Sequence, residues 1–97
     1  MFEQAVALDP EDPALLAEQG IALLGLDEDE AAKEAIDAAL RLDQLSPEAR
    51  LANAIYLIKQ REFRPAALTL RELTHDARAP LFVQVRARRL LEQIRPE

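Results

Sequence analysis

Residues 14 to 26 read A-L-L-A-E-Q-G-I-A-L-L-G-L, with Glu18 and Gln19 the only clearly polar side chains. Wound into a helix, this stretch is apolar on nearly every side and needs neighbours on more than one face. It is too short to span a membrane, which takes about 18 or more apolar residues. The chain must therefore cover it with further helices. Thirty-four residues later, Glu48 to Gln60 read E-A-R-L-A-N-A-I-Y-L-I-K-Q, a second stretch of similar character.

Laying the chain on itself at that offset brings together Pro13 and Pro47, Gly20 and Ala54, Leu23 and Leu57, Asp29 and Phe63, Ala32 and Ala66, Ile36 and Leu70, and Ala39 and Leu73. Five of these seven pairs keep a residue of like size or character, and Asp29 against Phe63 is the clear failure. A small residue in mid-helix lets a paired helix approach closely, and larger apolar residues fill the space around it. Helix punctuation follows the same offset. Asp12 and Ser46 are N-cap residues, each followed by a proline suited to the first helical position.

These signals predict helices near residues 2–8, 13–26, 28–42, 47–61, 63–75 and 80–94, joined by short loops and so antiparallel to their neighbours. Asp27 and Glu30 read as an acidic analogue of the capping box at the start of the third of these. Asp37 and Arg41 read as an i,i+4 ion pair on its outer face. The last predicted helix turns Val83, Ala87, Leu90, Leu91 and Ile94 inward, and its arginines decorate the outside. No segment reads as a strand. With 97 residues, 49% of them hydrophobic and only two glycines, the chain suits one helical domain.

A 34-residue helix–turn–helix period resembles the tetratricopeptide repeat, whose landmarks are a small residue in the first helix and alanines in the second. Gly20, Ala32 and Ala39 carry that pattern in one unit, and Ala54 and Ala66 carry part of it in the next. The opening F-E-Q-A-V-A-L-D-P is similar to the end of a preceding second helix. Departures are Leu16 and Arg50 in place of the early aromatic, Gln19 and Asn53 in place of an inner leucine, and Arg61 in place of the glycine between helices. The resemblance implies an all-α fold of antiparallel helix–turn–helix repeats in a right-handed superhelix, a fragment of an α-solenoid. It implies one domain over 1–97: a half repeat at 1–12, repeats at 13–46 and 47–80, and a capping helix at 81–97.

In that family the first helix of each repeat lines a concave, ligand-facing surface. The resemblance places Ala17, Ile21 and Leu24 from one repeat there, with Leu51, Ile55, Ile58 and Lys59 from the next, as a peptide-binding face. An amphipathic helix suits such a groove, because its apolar anchors recur every three or four residues. The alternative occupant is the chain's own last helix, through Leu81, Phe82 or Val85. The family's basic clamp for acidic C-termini finds no counterpart, since the corresponding residues here are apolar or acidic.

The net charge of −6 divides unevenly: residues 1–48 hold 13 acids and two bases, and residues 49–97 hold five acids and ten bases. Segregated charge of this kind can order neighbours or steer a partner. A weak homodimer or head-to-tail contact is expected, helped by an exposed face of Phe2, Ala5 and Val6. Catalysis is not expected. His75, the single histidine, sits at a helix end where the helix dipole accounts for it. The acidic run Asp27 to Glu30 lacks the spacing of a calcium loop. No cofactor or metal is implied. The basic second half lacks the aromatics that stack bases, so nucleic acid is not an expected partner, nor is a membrane. The opening residues lack the pattern of a signal peptide and the chain has no cysteine, which together predict a cytoplasmic setting. The expected function is a non-catalytic scaffold for a protein or peptide, with a self-assembly module stacking chain to chain as the alternative.

Overall fold

A computed structural model of the chain describes residues 12–94 and consists, over those residues, of five α-helices and no strand. They are α1 (Pro13–Gly25), α2 (Asp29–Leu42), α3 (Pro47–Lys59), α4 (Phe63–Thr74) and α5 (Leu81–Ile94). Each lies within two residues of a predicted helix; the expected piece at 2–8 lies outside the described residues. Asp12 caps α1, its Oδ1 accepting from the Ala14 and Leu15 amides at 3.0 and 3.3 Å. Ser46 caps α3 through the Ala49 amide at 3.2 Å, and Pro13 and Pro47 open the two helices as expected.

The 34-residue offset reappears in the backbone. Among the described residues, Asp27 and Arg61 are the two non-glycine residues with positive φ, at 64° and 66°, and each follows the first helix of a pair. Around Asp27, the Glu28 amide donates to the Leu23 carbonyl at 2.9 Å and the Asp27 amide to Leu24 at 3.1 Å. Around Arg61, the Glu62 amide donates to Leu57 at 2.8 Å and the Arg61 amide to Ile58 at 2.9 Å. Both are Schellman turns, which satisfy carbonyls at the helix end and require one left-handed residue. Glycine usually supplies it, and here an aspartate and an arginine do.

That turn overrides the expected capping box at Asp27 and Glu30. Glu28 is the residue at the N-cap of α2, with no side-chain cap. Asp27 is committed to the left-handed position, and its carboxylate pairs with Lys59. The expected Asp37–Arg41 pair is also replaced. Asp37 faces Lys33 at 3.2 Å, and the Lys33 ammonium stands 5.6 Å from the centre of the Tyr56 ring, so the lysine gains a second partner on α3.

Two apolar clusters form, and α3 is the wall between them. Ala49, Ala52 and Tyr56 turn toward α1 and α2, where they meet Ala17, Leu24, Ala32, Ile36 and Ala39. Leu51, Ala54 and Ile58 turn toward α4 and α5, where they meet Leu70, Leu73, Val83 and Ala87. Ile55 touches both clusters. Gly20 marks the tightest approach: a Cβ built there would stand 2.7 Å from Cγ1 of Ile36. Within the described residues α1 touches α2 and α3, and α5 touches α3 and α4, but no Cα of α1 comes within 8 Å of α4 or α5. The second helices, α2 and α4, do not meet each other.

Candidate interaction surface

The seven residues expected to form a binding face are brought together, but three of them are closed off from solvent. Ala17, Leu24 and Leu51 are buried, which corrects their assignment to an open groove. The reason is geometric: the face of α1 that carries Ala17, Ile21 and Leu24 is the face on which α3 packs. The equivalent face of α3, carrying Leu51, Ile55 and Ile58, packs against α5. Ile21, Ile55 and Ile58 remain half-buried at the seams between these helices.

Lys59 is engaged within the chain. Its Nζ donates to the Leu24 carbonyl at 2.7 Å and to Asp27 Oδ1 at 2.5 Å, and Asp29 Oδ1 lies 3.0 Å away. The contact with Asp29 Oδ1 matches the charge of an oxygen that otherwise has no hydrogen-bond partner. Gln60 donates to the other oxygen of Asp29 at 2.9 Å. The end of α3 is thereby fastened to the turn that follows α1. These contacts hold the Asp29 carboxyl below its ordinary range, through the hydrogen bond from Lys59 first and that from Gln60 next. They raise Lys59, chiefly through its bond to Asp27. Asp29 and Phe63, which break the repeat in sequence, hold equivalent places at the start of α2 and α4. Asp29 departs from the pattern because it serves this clasp.

Among exposed apolar side chains, three lie close together on α5. Leu81, Phe82 and Val85 are 74%, 60% and 47% exposed, so they do not fold back as the alternative occupant of a concavity. With Leu90 and Gln93 they form one open side of the helix, which Arg86 and Arg89 share. Sequence reasoning gave this helix an inward face of Val83, Ala87, Leu90, Leu91 and Ile94, and offered Leu81, Phe82 or Val85 as a second apolar set that would fold into the concavity. The signal for a second face was present: Leu81, Phe82 and Val85 cannot share the side that holds Val83 and Ala87. Opposite in charge is the α1–α2 turn, where Asp27, Glu28, Asp29, Glu30 and Glu34 surround an acidic hollow.

Among the described residues no group of three or more His, Asp or Glu side chains is placed to hold a metal ion, and no helix is long and apolar enough to cross a membrane. No protein-family model matches the chain, and no curated protein or solved structure is significantly similar to it.

Proposed function

We propose that the chain is a non-catalytic helical-repeat scaffold of the tetratricopeptide type, curved as a right-handed superhelix, that binds a protein or peptide. The contact pattern supports the repeat arrangement. First helices α1, α3 and α5 meet in a row, whereas second helices α2 and α4 stay apart, so the row of first helices takes the inside of a curve. The paired Schellman turns at Asp27 and Arg61 recur with the same 34-residue period. The absence of cysteine suits a cytoplasmic setting.

The observation that carries the binding role is the exposed apolar face of α5. Isolated apolar residues are ordinary on a protein surface, but a contiguous patch with a polar rim marks interaction sites. Leu81, Phe82 and Val85 form such a patch, with Arg86 and Arg89 at its edge. An amphipathic helix carrying acidic flanks fits it: its apolar anchors would pack along this face of α5 and its carboxylates would meet the two guanidinium groups. The half-buried Ile21, Ile55 and Ile58 would add to the same side of the row. Selection from a displayed library of amphipathic helical peptides tests this reading. The selected peptides should be acidic and should lose at least about tenfold in affinity against Val85→Asp, a loss of about 1.4 kcal/mol. Peptides that bind Val85→Asp as well as the parent chain place the site elsewhere.

A further inference from the structure

The row of first helices repeats one pairing of faces, though unequally: α3 lies closely along α1, whereas α5 lies mainly on α4 and meets α3 over a shorter stretch. Ala17, Ile21 and Leu24 of α1 share a cluster with Ala49, Ala52 and Tyr56 of α3. Thirty-four residues on, Leu51, Ile55 and Ile58 of α3 share a cluster with Val83 and Leu90 of α5, while Arg86, the counterpart of Ala52, is exposed. Each join therefore has an outgoing face on one helix and an incoming face on the next. Continuing the register by another 34 residues gives Val85, Arg89 and Glu92 as the outgoing face of α5, and all three are exposed. Stepping back by 34 residues gives Leu15, Glu18 and Ala22 as the incoming face of α1, and these are exposed too.

We propose that a second copy of this chain seats its α1 face on the α5 face of the first, head to tail, and so continues the row with the join already used inside each molecule. Charge complementarity selects this occupant. The α5 face offers apolar surface from Leu81, Phe82 and Val85 with Arg86 and Arg89 beside it against the single acid Glu92, and the α1 face offers Leu15 and Ala22 with Glu18 between them. The bodies behind the two faces agree: residues 12–48 hold ten acids and two bases, and residues 49–94 hold four acids and nine bases. A head-to-tail contact joins unlike faces, so unless its rotation closes a ring it leaves a free face at each end. Association then grows with concentration and weakens as salt screens the charges. The inference rests on the repeat arrangement proposed above and not on the peptide-binding role.

Sedimentation equilibrium of the intact chain tests it, from about 10 µM to about 1 mM protein and at about 20 mM and about 500 mM salt. The mean mass should rise above the monomer with concentration, and less so at the higher salt. Glu18→Arg and Arg89→Glu, both at exposed positions, should each weaken association at least about fivefold. An equimolar mixture of the two variants should restore it, because the swapped head of one meets the swapped tail of the other. Phe82→Asp should weaken association without rescue by either variant. Circular dichroism melts of all three variants should match the parent, which separates lost association from lost folding. A monomer mass at every concentration in low salt overturns the proposal. Association indifferent to Glu18→Arg overturns it as well, because two α5 faces would then be pairing with each other. Both occupants would use Val85, so peptide binding is read at protein concentrations too dilute for association, where its loss in Val85→Asp is independent of either result above.

Discussion

Gly20→Ala and Gly25→Ala make a matched pair of perturbations, since both glycines lie in α1 and neither has positive φ. In a helix interior, replacing glycine with alanine favours folding by about 1 kcal/mol. At Gly25 nothing stands within 4 Å of the added Cβ, so only a propensity gain is expected there, reduced because it is the last residue of the helix. At Gly20 the added Cβ would stand 2.7 Å from Ile36 Cγ1, 3.3 Å from its Cδ1 and 3.4 Å from the Ala32 carbonyl oxygen. Ile36 is fully buried, and the carbonyl belongs to the α2 backbone, so relief requires a poorer rotamer or a shift of one helix against the other. Overpacking of this kind costs about 1–3 kcal/mol. At the middle of that range, about 2 kcal/mol, the interior propensity gain of about 1 kcal/mol leaves Gly20→Ala about 1 kcal/mol below the parent, while Gly25→Ala stays at or slightly above it. One kcal/mol moves the melting temperature of a domain this size by about 4–8 °C, so Gly20→Ala should melt at least about 4 °C below Gly25→Ala. Gly20→Leu should fall further. The assay is thermal unfolding followed by circular dichroism at 222 nm. Equal melting of the two alanine variants would refute the close contact between α1 and α2 at Gly20.

Two further predictions concern the turns and the clasp. Arg61→Gly should stabilise the chain by about 0.5–1 kcal/mol, because a left-handed non-glycine residue costs about 1–2 kcal/mol and glycine's extra flexibility returns only part of it; unchanged or lower stability in urea unfolding would show that Arg61 makes a compensating contact. Asp29 is held below the ordinary carboxyl pKa of 3.8, so its contribution is fully present above that value and is lost as pH falls through the folded-state one. Melting temperature recorded from neutral pH down through the acid range should therefore fall more steeply for the parent than for Asp29→Asn, and parallel curves would remove Asp29 from the acid response.

Much of the helical layout was legible because it depends on neighbours in the chain. Asp12 before Pro13 and Ser46 before Pro47 fix two helix starts by local hydrogen bonding, whatever the tertiary contacts. Gly20 announces a close approach by being small within a large apolar stretch. The clasp was not legible: Lys59 and Asp27 are 32 residues apart, and their meeting depends on how α3 lies across the end of α1. Once Asp27 turned to that lysine and took the left-handed position, the capping box read from Asp27 and Glu30 was lost. The binding face went astray for a related reason. Spacing correctly grouped Ala17 with Leu24, and Leu51 with Ile55, on single helix faces. Spacing alone does not tell whether solvent or another helix of the row meets a face, and here the next helix does.

The position of α3 between two clusters has a consequence for how the molecule comes apart. Loss of α1 and α2 would strip Ala49, Ala52 and Tyr56 while leaving Leu51, Ala54 and Ile58 covered, and loss of α4 and α5 would do the reverse. Either end can thus fray with half of the interior intact, whereas melting α3 dissolves both halves at once. Native-state opening is then graded rather than uniform, shallow at the two ends and equal to global unfolding at the centre. The surfaces proposed for recognition belong to the outer helices α1 and α5, where adjustment to a partner disturbs only one of the two halves, and the central helix keeps the register of both.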